Sequence, residues 1–173
     1  MKIPYLDLSI KDPEFKKQLL NSIETVFDHG RFILGPEVEE FERKIADLSH
    51  RAFAVGMNSG TDALHFTLRA HDIGEGDEVI TTPLSWIATV NAITLTGAKP
   101  VFVDIDPTLN LDINLIENAI TNKTKAILPV HFTGLMCDMV SIKKIANKYS
   151  LLVIEDAAQA FGSKLNEIPS GAF

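Results

Sequence analysis

The sequence of 173 residues has a single cysteine, a single tryptophan and two tyrosines. Nowhere does an apolar run reach the roughly 18 residues that a membrane-spanning helix requires. Cys137 has no second thiol to pair with, and no partner cluster of His and Cys stands at metal-ligand spacing. These absences exclude a disulfide framework, leave no metal site to expect, and fit a reducing compartment. Basic runs are missing as well: 16 Lys and Arg stand against 23 Asp and Glu, and Lys16-Lys17 and Lys143-Lys144 are isolated pairs. A net charge of -7 without a basic stripe argues against nucleic acid as a partner. Residues 1–8 lack a positively charged region followed by a long apolar one. The reading is a soluble, cytoplasmic protein with no membrane contact. No repeat, linker or low-complexity segment is visible. With 46% hydrophobic and 23% charged residues, the chain can bury a sizeable core.

Residues 1–50 read as a helical segment. Asp12-Pro13-Glu14 combines an N-cap side chain, a proline at the first helical position and an acid in the first turn. Phe15, Leu19, Leu20, Ile23 and Val26 follow at helical spacing, and His29-Gly30 closes the segment. A second helix is expected from Pro36 to about Ser49, after the apolar loop Phe32-Ile33-Leu34-Gly35. From residue 51 onward the pattern alternates. Strands are expected near 52–57, 77–82, 100–105, 126–130 and 151–155, with helices near 61–71, 84–96, 112–120 and 138–149. Turn chemistry such as Gly74-Glu75-Gly76-Asp77 recurs before the strands. This is the signature of an α/β three-layer sandwich, a mostly parallel sheet covered by helices on both faces. Beyond Gly162 the chain reads as a turn toward further structure.

Four stretches could carry chemistry, and all lie where a parallel sheet opens toward ligands, beyond the carboxyl ends of its strands. Leu151-Leu152-Val153-Ile154 is an uninterrupted aliphatic strand that delivers Glu155-Asp156. Asp156 reads either as the N-cap of a helix begun by Ala157 or as a carboxylate paired with a buried cation. Gln159, three residues on, would share that helix face and offer an amide N–H, or sit there as a solvated position. Asn58-Ser59-Gly60-Thr61-Asp62 opens a helix, so free N–H groups, the helix dipole and two hydroxyls converge there as an anion site; the same residues also make an ordinary capped turn. Trp86 follows the strand near 77–82 and could stack on a planar ligand or pack in the core. His131 reads as a contact to ligand or as a hydrogen-bonded histidine beside the site. Asp104 and Asp106 fall at a turn and are assigned no metal.

Taken together these stretches resemble the DegT/DnrJ/EryC1/StrS family of sugar aminotransferases, which use pyridoxal phosphate on the aspartate aminotransferase fold (fold type I). The resemblance is collinear from Ile3 to about Phe173. It is carried by Gly30-Arg31-Phe32-Ile33-Leu34-Gly35-Pro36-Glu37-Val38, Asn58-Ser59-Gly60-Thr61-Asp62-Ala63-Leu64, Gly76-Asp77-Glu78-Val79-Ile80, Pro100-Val101-Phe102-Val103-Asp104-Ile105, Pro129-Val130-His131 and Glu155-Asp156-Ala157-Ala158-Gln159-Ala160-Phe161-Gly162. It implies that Gly60 and Thr61 bind the cofactor phosphate, with Asp62 at the same helix start. It further implies that Trp86 stacks on the pyridine ring, Asp156 pairs with the protonated ring nitrogen and Gln159 sits by the phenolic oxygen. Residues 51–173 would then be the N-terminal part of the large, cofactor-binding domain.

The resemblance also implies what residues 1–173 should not contain. The family's Schiff-base lysine follows roughly two dozen residues after Asp-Ala-Ala-Gln, in a Ser-aromatic-x-Pro-x-Lys motif, and Phe173 comes first. Lys164 matches neither its spacing nor its neighbours. The expectation is an N-terminal part of a longer enzyme, an incomplete large domain that is not competent alone. In full the enzyme would transfer an amino group, with glutamate as the donor, to a keto-sugar nucleotide in polysaccharide or sugar biosynthesis. It would work as a homodimer, with the Phe32–Gly35 loop as a candidate interface element. The alternative is a non-catalytic ligand-binding or regulatory protein derived from the same fold.

Overall fold

A computed structural model describes residues 4–173. Asp12 caps the first helix, α1 (Pro13–His29), by accepting the backbone N–H groups of Glu14 and Phe15 at 2.9 and 3.4 Å. Gly30 ends it in the left-handed conformation, φ 69°, where a residue without Cβ is unstrained, and returns its N–H to Val26 O. Leu19, Ile23, Val26 and Phe27 of α1 line a shallow apolar groove together with Phe32. The following helix, α2, spans Pro36–Leu48. The chain divides into two compact units between Lys44 and Ile45.

The second unit alternates helix and strand: α3 (Gly60–Ala70), β1 (Glu78–Thr81), α4 (Ile87–Thr94), β2 (Lys99–Phe102), α5 (Ile113–Ala119), β3 (Thr124–Leu128), α6 (Met139–Tyr149) and β4 (Leu152–Val153). The four strands form one parallel sheet in the order β2-β1-β3-β4. Pro100 cannot donate to a ladder, and it stands in β2, at one edge of this sheet. Successive strand residues face opposite sides, so the sheet separates two cores. Val79, Ala126, Leu128 and Ile154 pack with Leu68, Ala92 and Ile93 of α3 and α4. Ile80 and Ile127 pack with Ile116, Met139, Ile142 and Ala146 of α5 and α6. The expected α/β three-layer arrangement is what this alternation produces. No helix among the described residues is long and apolar enough to cross a membrane.

Two expectations need correction. Residues 52–57 form no strand: they join no sheet ladder among the described residues, and Phe53 and Val55 are 86% and 70% exposed. Strand composition is not enough without a neighbour to share the ladder. No helix starts at Ala157 either; residues 157–162 are turns, and Asp156 is held by the sheet instead. Beyond Gly162 the chain makes a β-hairpin, β5 (Lys164–Leu165) and β6 (Ile168–Pro169). Its two turn residues, Asn166 and Glu167, both have positive φ (51° and 64°), as a tight hairpin turn demands.

Candidate functional site

Asp156 owes its position to the backbone. Its N–H donates to Pro129 O at 2.9 Å and its carbonyl accepts His131 N–H at 3.1 Å, extending the β3–β4 pairing three residues past the end of β4. Alternation then turns Asp156 to the α3/α4 side, along with Ile154, and Glu155 to the other. There the Asp156 Oδ2 atom accepts a hydrogen bond from Thr89 Oγ1 at 2.7 Å.

A cavity of about 400 Å³ opens beside it, within the usual size of small-ligand sites. Gly60, Thr61, Trp86, Asp156 and Gln159 all line it, together with Leu64, Ser85, Thr89, Val130 and Phe132. At one side stands the N-terminus of α3. Ser59 caps it, its Oγ accepting the Asp62 N–H at 3.1 Å, which leaves the N–H groups of Gly60 and Thr61 as the helix's uncommitted donors at the cavity. A Cβ added at Gly60 would meet nothing within 4 Å, so the space there is open to a ligand group. Asp62 does not line the cavity. It sits in the first turn of α3, where an acidic side chain suits the helix dipole. Trp86 is the N-cap residue of α4 and 76% exposed, with its backbone extended. It stands at the cavity rim and not in either core.

Gln159 lines the cavity from a turn and not from the helix face the spacing suggested. Gly134 helps place that turn: at φ 84° it brings its backbone so close that a Cβ would lie 3.2 Å from Gln159 O, and its own carbonyl accepts Ser163 Oγ at 2.6 Å.

His131 is a hydrogen-bonded histidine outside the cavity. Fully buried, it accepts Cys137 N–H on Nδ1 at 3.2 Å, so its proton is on Nε2, which donates to Glu155 Oε2 at 3.1 Å. Glu155 also accepts the N–H groups of Gly171 and Phe173 at 3.0 and 2.7 Å. Burial pushes the Glu155 carboxyl upward, but the bonds from His131, Gly171 and Phe173 outweigh it and hold the group below its ordinary 4.5. Desolvation raises the Cys137 thiol to about 11. Among the described residues no group of His, Cys, Asp and Glu is arranged to hold a metal. Sequence reasoning passed over Ser85, Thr89 and Phe132 in the cavity wall. Ser85 and Thr89 stand four residues apart around Trp86, and that spacing was the signal available.

Sheet order, crevice and helix terminus define a layered α/β ligand-binding domain whose site lies at the carboxyl edge of the sheet. Residues 13–173 match the DegT/DnrJ/EryC1/StrS aminotransferase family, and the chain belongs to it. It is 48% identical over 167 residues to a "Pleiotropic regulatory protein" of Geobacillus stearothermophilus, covering 96% of this chain and 45% of that protein. It is 46% identical over 162 residues to a UDP-2-acetamido-2-deoxy-3-oxo-D-glucuronate aminotransferase of Pseudomonas aeruginosa, covering 93% and 45%. Among solved structures, NtdA of Bacillus subtilis with bound cofactor PMP superposes with a TM-score of 0.90 at 40% identity, covering 97% of this chain and 39% of that one. The chain thus spans about half the length of the curated relatives it matches.

Proposed function

We propose that residues 1–173 are the cofactor-binding part of a pyridoxal-phosphate aminotransferase that moves an amino group, with glutamate as donor, to a keto-sugar nucleotide. The observation that carries this reading is the cavity itself, with a helix N-terminus for an anion at one side and the Asp156 carboxylate at another. A flat cationic ring bearing a phosphate is the ligand chemistry that such a donor set suits. Gly60 and Thr61 would hold the phosphate through backbone N–H groups and the Thr61 hydroxyl. Trp86 would cover one ring face, Asp156 would pair with the ring N–H and Gln159 would approach the phenolic oxygen. Asp62 would act only through the dipole of α3. When bound, the cofactor supplies an electron sink beside the carbon that gains or loses nitrogen. The sugar-nucleotide class is supported by the name of the Pseudomonas relative.

No lysine lines the cavity. The Schiff-base lysine is therefore assigned outside residues 1–173, and these residues alone should not turn over substrate. A homodimer of the full-length enzyme fits the exposed Phe32, Ile33 and Leu34, and a cytoplasmic location fits the sugar-nucleotide substrate. The test is borohydride reduction of the 173-residue chain with pyridoxal phosphate, read by peptide mass spectrometry. Non-specific surface labelling alone is expected; a stoichiometric adduct on one lysine would refute the assignment. Glutamate-dependent amination of a keto-sugar nucleotide by the full-length enzyme tests the activity. The second reading, a non-catalytic regulatory protein on this fold, is favoured by the name of the Geobacillus relative. It predicts ligand binding without amino transfer in that same assay.

A further inference from the structure

Behind the Asp156 carboxylate stand two hydroxyl groups to which the roles above give no part. Thr89 Oγ1 lies 2.7 Å from Asp156 Oδ2 and 2.7 Å from Ser85 Oγ. Thr89 has one hydroxyl proton. Since that proton goes to the carboxylate, the other contact must be donated by Ser85. The result is a one-way chain of donors, Ser85 to Thr89 to Asp156, ending on Oδ2. Thr89 is fully buried in the first turn of α4, a β-branched residue with few side-chain orientations open to it. The second oxygen of Asp156 is held far less: Oδ1 receives the Ala158 N–H at 3.4 Å, at the long limit of a hydrogen bond.

The last torsion of an aspartate is broad and roughly two-fold, so the backbone alone does not decide how the carboxylate is turned. We infer that Thr89, backed by Ser85, is the positioning residue that fixes this orientation, tying down Oδ2 so that Oδ1 is presented to the cationic ring nitrogen of the ligand. The inference rests on the cofactor reading above and goes beyond it by assigning a role to residues that need not touch the ligand's ring nitrogen. Its physical content is preorganisation: an ion pair whose acceptor is already oriented loses less freedom when it forms.

Trp86 is the sole tryptophan and lines the cavity, so its fluorescence reports binding. Two probes separate the possibilities: pyridoxine 5′-phosphate, which has the ring nitrogen but no aldehyde, and its benzene analogue with carbon in place of that nitrogen. For Thr89→Val, the pyridine probe should bind roughly tenfold more weakly, as expected for a lost hydrogen bond to a charged group. The benzene probe should bind as it does to the unaltered chain. Thr89→Ser should restore pyridine binding, and Ser85→Ala should show a smaller loss confined to the pyridine probe. Thermal midpoints measured alongside identify a variant that fails to fold, in which case Ser85→Ala carries the test. Equal losses for both probes, or none for either, would overturn the inference and leave the cofactor reading standing. Absence of pyridine-probe quenching in the unaltered chain would instead strike the cofactor reading itself, and the inference with it.

Discussion

Neighbouring carboxylates at the end of β4 do opposite work because a strand turns successive side chains to opposite faces. Asp156 faces the cavity and Glu155 faces the interior, where it accepts three N–H groups. The folded-state pKa of Glu155 is lowered below 4.5. Its contribution to stability is therefore present above that value and disappears as pH falls through the lowered one. Glu155→Gln should cost about 1–3 kcal/mol at neutral pH, and the difference from the parent chain should close at pH below 4.5, as read by urea unfolding across a pH series. Asp156 was legible from sequence because an acid at the end of an aliphatic strand stands out. The part Glu155 plays was not, since two of its three donors come from residues 171 and 173, brought back by the hairpin. Cys137 allows a simpler check. With its thiol buried and raised to about 11, it should not react with a disulfide reagent near neutral pH, and should titrate as one thiol once the chain is unfolded.

At the scale of elements, helices with both an N-cap and an apolar stripe were readable: α1 begins at Pro13 behind Asp12, as its sequence indicates. Strands were readable where a neighbour exists. β1 and, from Ala126 to Leu128, β3 are buried on both faces, and their apolar residues alternate between the two cores. Ile127 is fully buried on the α5/α6 side, and Ile127→Ala should cost about 2–5 kcal/mol in denaturant unfolding, through lost contacts and the cavity left behind. Residues 52–57 have the same apolar character yet no ladder, because pairing is a property of two segments and sequence pattern describes one. The turn after Asp156 was misread for a related reason. Asp followed by Ala-Ala-Gln is good helix-start chemistry, but Asp156 spends its backbone on Pro129 and His131. Gly134 shows how such a turn is held. Gly134→Ala would add strain of about 1–2 kcal/mol at φ 84° and press a methyl group on Gln159 O, weakening ligand binding as well as stability. Fluorescence titration and thermal unfolding of that variant should both register the change.

For the molecule as a whole, the layered α/β plan follows from the order of elements, whereas the site follows from their meeting. The cavity wall draws on residues from Gly60 to Gln159, contributed by the start of α3, the segment before α4 and the first turn of α4, the residues just after β3 and the extension of β4. No one of these segments makes a site, so a ligand that fills the cavity binds the folded chain and not the unfolded one. Linkage then fixes the size of the effect: at about 100 times its dissociation constant a ligand adds about 2.7 kcal/mol. For a chain of this size that raises the melting temperature by roughly 5–10 °C. Pyridoxine 5′-phosphate should produce this shift. Asp156→Asn should keep the fold, since an amide oxygen can still accept from Thr89, but should lose most of the shift because the ring cation has no counter-charge. Inorganic phosphate, bound only at the start of α3, should give a smaller shift that Asp156→Asn leaves intact. If both ligands lost their effect together in that variant, the division of the cavity into an anion end and a cation end would be wrong.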